Sequence, residues 1–351
     1  MVGMDDKPDI RALGTAELTK LLGELGERAF RVQQLRRWLW TAGAESFAAM
    51  HNLSRGLRAE LERRYSTALP RVIDEARSAD GTLKLLLEYP DGARTECVSM
   101  PRGGEDGTTY RTACLSTMSG CPLGCAFCAT AQLGLTRKLA GHEIAAQVLL
   151  LRKQEAAVRN VVLMGQGEPL LNYSATLKAL RLLLGPLELG ARRITVSTAG
   201  VPAGIRRLAA EALKVKLAVS LNAPTDELRD ELMPINRRFP LAELLAACRE
   251  YYDATDRRIT FEYVLLGGVN DGPTQAQALV KKLHGIPHKL NLIVYNPVPG
   301  LPFEPPPAAA VERFLEITRR GAYAANLRRS QGADIAAACG QLMREKSLDD
   351  P

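Results

Sequence analysis

The 351-residue chain has no apolar run long enough to cross a bilayer. Its start, Met1 to Ile10, is acidic and lacks the apolar core of a signal peptide. These absences set aside membrane and secreted proteins and leave a cytoplasmic location as the expectation. Cysteines number seven, which is odd. That argues against a disulfide framework and for a reducing compartment, where cysteine serves a metal or catalysis. No internal repeat recurs, which excludes a repeat array.

What is present is ordinary in bulk and uneven in charge. Apolar residues make up 46% and charged residues 24%, as in a globular protein. The net charge of +7 lies wholly beyond residue 100: residues 1–100 balance 15 basic against 15 acidic side chains, and 101–351 carry 31 against 24. Much of the surplus comes as Arg pairs: Arg192–Arg193, Arg206–Arg207, Arg237–Arg238, Arg257–Arg258, Arg319–Arg320 and Arg328–Arg329. Each pair alone suits a solvated helix end. Together they suit contact with a phosphate backbone.

Helical spacing marks the first part, from Thr15, through Arg31–Trp40, to Arg55–Tyr65 after Asn52-Leu-Ser54. Two strands, Thr82–Tyr89 and Thr95–Met100, flank the turn Pro90-Asp-Gly92 as a hairpin. Pro101 to Tyr110 is Gly-rich and polar and reads as a linker. Strand and helix then alternate. Strands are predicted at Thr112–Thr117, Asn160–Met164, Ile194–Ser197, Leu217–Leu221, Ile259–Leu265 and Leu290–Tyr295, with a seventh at Ala325–Arg329. Helices are predicted at Glu143–Val158, Ala175–Leu184, Leu241–Tyr252, Gln275–Leu283 and Ala309–Arg320. Such units predict a parallel sheet covered by helices: a barrel or partial barrel with its chemistry at the C-terminal strand ends, or else an open doubly wound sheet. The expected division is a helical domain at 1–70, hairpin and linker at 71–106, the barrel at 107–342 and a tail at 343–351.

Cys121-Pro-Leu-Gly-Cys125-Ala-Phe-Cys128 places three thiols in eight residues after the first barrel strand. Three thiolates so close suit three irons of a [4Fe–4S] cluster, leaving the fourth iron for a chelating ligand. The alternative is a structural zinc site, but that wants four ligands, and no second C-x2-C or H-x3-H lies nearby.

This spacing after a first β/α strand resembles the radical S-adenosylmethionine superfamily. Further segments resemble the RlmN/Cfr family of RNA adenine methyltransferases, and RlmN most. They are Arg111–Thr117, Cys128–Gly134, Gly165-Gln-Gly-Glu-Pro-Leu-Leu-Asn172, Thr195–Gly200, Ser220–Pro224 with Met233–Asn236, Tyr295-Asn-Pro297 and Asp334–Leu342. Phe30–Leu35 with Asn52–Ser54 resembles the family's N-terminal domain.

The resemblance implies a partial (β/α)6 TIM-type barrel and methylation of adenine C2 in 23S rRNA, and in tRNA 3′ of the anticodon. It implies one [4Fe–4S] cluster on Cys121, Cys125 and Cys128, and two S-adenosylmethionine molecules per turnover. It implies Cys339 as the methylated cysteine, Cys114 as the thiol that resolves a protein–RNA adduct by a transient disulfide with Cys339, and Glu96 as proton acceptor. Gly167, Glu168, Ser197, Ser220, Leu221, Asn222 and Asn296 are the implied S-adenosylmethionine contacts. A reductant such as flavodoxin or ferredoxin and a monomeric enzyme are expected.

Unaided, Cys339 in its Ala-rich run reads as a small buried residue, and Glu96 as an exposed strand residue. Cys97 and Cys248 read as packing residues. The chain departs from the family pattern at Asn222 (usually His), Gln166 (usually Met), Met118 (usually Gln) and Gln331 (commonly Arg). Four alternatives stay open: C8 methylation as in Cfr, a paralogue with a narrower RNA substrate, a radical enzyme acting on a protein or small molecule, and a zinc-stabilised RNA-binding protein without catalysis.

Overall fold

The computed structural model describes residues 7–103, 109–155, 157–321 and 323–342. The predicted tail lies outside them, as do parts of the predicted linker and the chain's start.

The first described element is a small helical unit of α1 (Thr15–Glu24), α2 (Phe30–Arg36) and α3 (Arg55–Arg64). Glu17 accepts from the Gly14 amide at the start of α1, and Ser54 Oγ accepts from Leu57 N at the start of α3. These caps satisfy amides that a helix start leaves bare. Arg11 is fully buried and donates to the carbonyls of Thr67 and Ala44, each at 2.7 Å. The apolar core of this unit is continuous with that of the rest of the chain.

One sheet of ten strands forms the body. Its antiparallel part is β1 (Arg71–Arg77), β2 (Leu83–Glu88) and β3 (Arg94–Gly103), joined antiparallel to β4 (Thr109–Cys114). From β4 onward every pairing is parallel and sequential, through β7 (Val158–Leu163), β8 (Ile194–Thr198), β9 (Lys216–Ser220), β10 (Ile259–Leu265), β11 (His288–Val294) and β12 (Ala325–Arg328). The ribbon β5 (Met118–Gly120) and β6 (Leu135–Lys138) brackets the short helix α4 (Ala129–Gln132). The crossovers are α5 (Gly141–Gln154), α6 (Tyr173–Leu184), α7 (Pro202–Ala210), α8 (Asp226–Leu232) with α9 (Leu241–Thr255), α10 (Pro273–Leu283) and α11 (Ala308–Arg319). A doubly wound sheet reverses its strand order at a switch point. This order never reverses, so the architecture is a partial barrel, with β12 as the seventh parallel strand.

The structure corrects several expectations. The hairpin is no separate unit, because β3 pairs with β4 from Val98↔Cys114 to Gly103↔Thr109 and carries the sheet into both ends of the predicted linker. The helix predicted to Val158 ends at Gln154, and Val158 pairs with Arg111 in β7. Strand pairing there overrides a locally helical composition. Strand β1 gave no signal because its residues are polar and largely exposed. Among the described residues, no helix is long and apolar enough to cross a membrane.

After β12 the chain returns across the open side of the barrel. Gly332 N donates to Asp80 Oδ2 at 2.9 Å, Ser78 Oγ to Asp334 Oδ1 at 2.6 Å, and Gln331 Nε2 to the Pro101 carbonyl at 3.1 Å. This strap brings Cys339 over the site. Gly332 permits it: its φ is +68°, and a Cβ there would meet Thr82 Cγ2 at 2.8 Å and Ala337 Cβ at 2.9 Å. We predict that Gly332→Ala loosens the strap and costs about 1–3 kcal/mol of strain. A urea midpoint and m-value equal to those of the native chain would contradict this.

Candidate active site

The cysteine loop leaves β5 through Gly120, whose φ of +77° and close approach to the Gly134 carbonyl allow no side chain. Cys121 N donates to Gly134 O at 2.8 Å, and Cys128 N to Cys125 O at 3.2 Å. Cys128 then caps α4. The three sulfur-bearing side chains line one cavity of about 170 Å³ with Gly165, Gly167, Glu168, Ser197, Ser220 and Asn222. Burial raises all three thiols, Cys121 to about 12, with neighbouring sulfurs adding to it: Cys128 at Cys121 and Cys125, and Cys339 at Cys128. Thiolates this crowded need a cationic partner. Among the described residues, no three His, Cys, Asp or Glu side chains gather tightly enough for a single metal ion. The three thiols line one cavity, an arrangement that suits a polyatomic cluster.

The Gly165-Gln-Gly-Glu segment follows β7 and packs against the β4 end. A Cβ on Gly165 would meet Ser116 Oγ at 2.6 Å, and one on Gly167 would meet Met118 Cβ at 2.5 Å. Gly167 also has φ +93°. Glu168 is buried and accepts from Ala199 N at 2.7 Å and Leu170 N at 3.0 Å. Burial pushes its carboxyl up to about 7, against the pull of those amides.

Of the other predicted cofactor contacts, Ser197, Ser220 and Asn222 line the cavity. Asn222 has φ +58°, a conformation Asn tolerates, and its Oδ1 accepts from Val264 N at 2.8 Å. Two expectations change. Leu221 is fully buried in the apolar core, so its side chain is not a lining group and only its main chain is placed for a contact. Asn296 lies outside that lining and donates to the Cys339 carbonyl at 3.3 Å.

Arg229, which gave no signal in sequence, organises this rim. It is fully buried, with Nε on Leu221 O at 3.0 Å, Nη1 on Asn236 Oδ1 at 3.0 Å, and Nη2 on Ser220 O at 3.2 Å and on Ala199 O. It ties the ends of β8 and β9 together. A lone Arg in the polar stretch Asp226–Leu232 reads as solvated, and only tertiary burial reveals it.

A second cavity, about 80 Å³, adjoins the first and shares Cys128, Gly165 and Met164 with it. It is lined by Cys114, Cys339, Arg102 and Arg328 among others, so residues 225 apart in sequence meet at one site. Cys339 is exposed, contrary to its reading from local composition. Its loop is held by Ala129 N on Gly340 O at 2.8 Å and by Thr130 Oγ1 on Leu342 O at 2.7 Å. Cys114 is buried, and its thiol is pushed up to about 12 by burial and by Cys339, with Arg328 pulling the other way. Glu96 is buried, not exposed as its sequence context suggests. It pairs with Lys84 Nζ at 3.0 Å. Cys97 and Cys248 are fully buried packing residues.

The Arg pairs differ in their setting. Arg206 and Arg320 form surface ion pairs with Glu250 and Glu316, while Arg328 lines the interior cavity.

Comparisons agree with this geometry. Residues 115–276 match the family model described as the Radical SAM superfamily, and 9–66 match the Ribosomal RNA large subunit methyltransferase N-terminal domain. The chain is 47% identical to the Dual-specificity RNA methyltransferase RlmN of Rhodospirillum rubrum, over 96% of this chain and 80% of that one. It is also 47% identical to its namesake in Anaeromyxobacter dehalogenans, over 99% and 95%. Among solved structures, a radical SAM methyltransferase from Sphaerobacter thermophilus superposes with a TM-score of 0.90 at 43% identity, covering 95% of this chain and 99% of that one.

Proposed function

Because the chain belongs to the RlmN family of radical S-adenosylmethionine RNA methyltransferases, we propose that it methylates carbon 2 of an adenine in 23S rRNA, and of the adenine 3′ of the anticodon in tRNA. The observation that carries this reading is that Cys114 and Cys339 share a cavity adjoining the one ringed by Cys121, Cys125 and Cys128.

Cys121, Cys125 and Cys128 would hold a [4Fe–4S] cluster. Gly167, Glu168, Ser197, Ser220, Asn222 and the main chain at Leu221 would receive S-adenosylmethionine, and Asn296 would position the Cys339 loop beside it. When bound, the pair supplies the methyl group and the one-electron chemistry that an unreactive adenine carbon requires. A reductant of the flavodoxin or ferredoxin type delivers the electrons. The N-terminal helical unit, taken as 1–70, contributes to RNA binding, and one chain suffices.

The chain's own residues do the rest. Exposed Cys339 takes the methyl group. One hydrogen atom of that S-methyl would be taken by the radical that the bound pair supplies, the remaining carbon bonds the ring carbon, and the surplus electron would return to the bound cluster, leaving a methylene bridge between Cys339 and the base. The hydrogen on the modified ring carbon leaves as a proton, and Glu96 is the carboxylate that accepts it. Cys114 sulfur then attacks Cys339 sulfur. The S–S bond forms, the S–C bond to the methylene breaks, and its electron pair stays on that carbon, which takes up a proton to become the methyl group. Arg328 favours the thiolate of Cys114 that makes this attack.

Incubating the anaerobically reconstituted enzyme with S-adenosylmethionine and reductant, without RNA, tests the first step. Peptide mass spectrometry should find one added methyl on Cys339, and a methyl only at another residue would sink the reading. We also predict that Glu168→Gln keeps its iron but binds S-adenosylmethionine about ten- to a hundredfold more weakly, the effect of losing one charge-assisted hydrogen bond. Equal affinity in equilibrium dialysis would refute that contact.

A further inference from the structure

Register places Lys84, Glu96, Val98 and Cys114 on one face of the sheet. Lys84 pairs with Val98 and Val98 with Cys114, while Glu96 lies two residues before Val98. Residues paired across strands, or two apart along one, point to the same side. The strap covers this face: Val98 and Cys114 pack in a small apolar cluster with Ala337 and Leu342.

Lys84 and Glu96 form an ion pair at 3.0 Å with side chains only 8% and 2% exposed. Lys84 Nζ also lies 3.4 Å from the Ala336 carbonyl, three residues before Cys339. On the other carboxylate oxygen, Gln166 Nε2 donates at 3.4 Å. Ser116 completes the frame, its Oγ donating to the Glu96 carbonyl at 2.6 Å and accepting from Gln166 N at 2.9 Å.

A buried ion pair is weak evidence of stabilisation, because desolvating both charges offsets most of their attraction. This one joins the expected proton acceptor to the loop that carries the expected methyl carrier. Gln166 and Met118 stand where the family usually has Met and Gln. Here the two residue types are exchanged between adjoining segments, since Met118 N donates to Gln166 O at 3.2 Å. The exchange keeps an amide in this neighbourhood, and in this chain that amide belongs to Gln166 and bonds Glu96.

We propose that Lys84, with Gln166, is a positioning residue: the ion pair and the amide bond hold and aim the Glu96 carboxylate. The inference rests on the reading of Glu96 as proton acceptor. It separates two stages of one reaction, because methylation of Cys339 needs no proton acceptor at the base and release of the RNA does.

The test uses the full-length reconstituted enzyme with Lys84→Met, Lys84→Gln, Lys84→Arg and Glu96→Gln. Cys339 methylation is read by peptide mass spectrometry, and protein–RNA adduct by its retarded band on denaturing gels. Lys84→Met and Lys84→Gln should methylate Cys339 as the parent does. They should resolve the adduct about a hundredfold more slowly, at the lower end of what a general base contributes. Lys84→Arg, which keeps the charge, should recover most of the rate.

Parent-like adduct resolution in both neutral variants overturns the proposal. So does an equal loss of Cys339 methylation and adduct resolution, which is what a merely structural lysine would give. Glu96→Gln separates the two levels. If it traps adduct while neutral Lys84 variants do not, the positioning role alone fails. If Glu96→Gln itself turns over freely, the reading of Glu96 fails and the proposal with it.

Discussion

Replacing Cys114 with alanine is expected to leave the protein covalently fastened to its RNA after a single event. The geometry gives the reason. Cys114 and Cys339 line the same small cavity, and Cys114 is the buried partner. Nothing in Cys114→Ala disturbs the cluster loop or the S-adenosylmethionine cavity, so iron content and Cys339 methylation should match the parent. With no sulfur left to attack Cys339, the S–C bond cannot be exchanged for an S–S bond. Adduct should therefore approach one RNA per active chain, and multiple turnover should fall by at least about a thousandfold, on the scale seen when a nucleophile is removed. The substitution removes one small buried atom, so a cost to stability of about 1–2 kcal/mol is expected. A freely turning-over Cys114→Ala enzyme would refute the resolving role.

Cys121→Ala is expected to have the larger effect on chemistry and the smaller on RNA contact. Its sulfur is one of three around the main cavity, and two thiols cannot hold three irons. Iron and the brown colour should be lost, and methylation of both Cys339 and RNA should fall at least about ten-thousandfold, because no lower barrier remains. Binding of unmodified RNA should persist and keep its steep salt dependence, since that depends on basic surface and not on the cluster. Retained iron with normal methylation would remove Cys121 from the site. Zinc in place of iron in the parent protein would favour the non-catalytic alternative.

How much of this was legible in sequence follows from the range of each interaction. The cysteine loop is local: eight residues contain its three thiols, so spacing alone exposes it. The alternation of strand and helix is also local, and β10 falls where the pattern places it, at Ile259–Leu265. The meeting of Cys114 with Cys339 has no local signal. It depends on a strap that crosses from β12 back to the β1–β2 turn, and before folding only the family resemblance implies it. Glu96 read as exposed because Arg94 and Thr95 flank it. It is buried because the face it shares with Val98 and Cys114 lies beneath the strap.

Lys84 and Arg229 show the same limit from the other side. A single cation in a strand or a polar helix is normally solvated, and its composition says nothing else. Both are buried here, where folding brings the Ala199 carbonyl to Arg229 and the Ala336 carbonyl to Lys84 beside its Glu96 partner. The predicted linker failed for a related reason. Gly-rich polar residues suggest a loop, yet pairing with β4 carries β3 to Gly103.

The most direct measurement is nucleoside analysis of 23S rRNA and tRNA after incubation with the reconstituted enzyme, S-adenosylmethionine and reductant under anaerobic conditions. Digestion and mass spectrometry should find 2-methyladenosine in both RNAs, formed by the parent and absent with Cys339→Ala. Only 8-methyladenosine, or 2-methyladenosine formed undiminished by Cys339→Ala, would contradict the account.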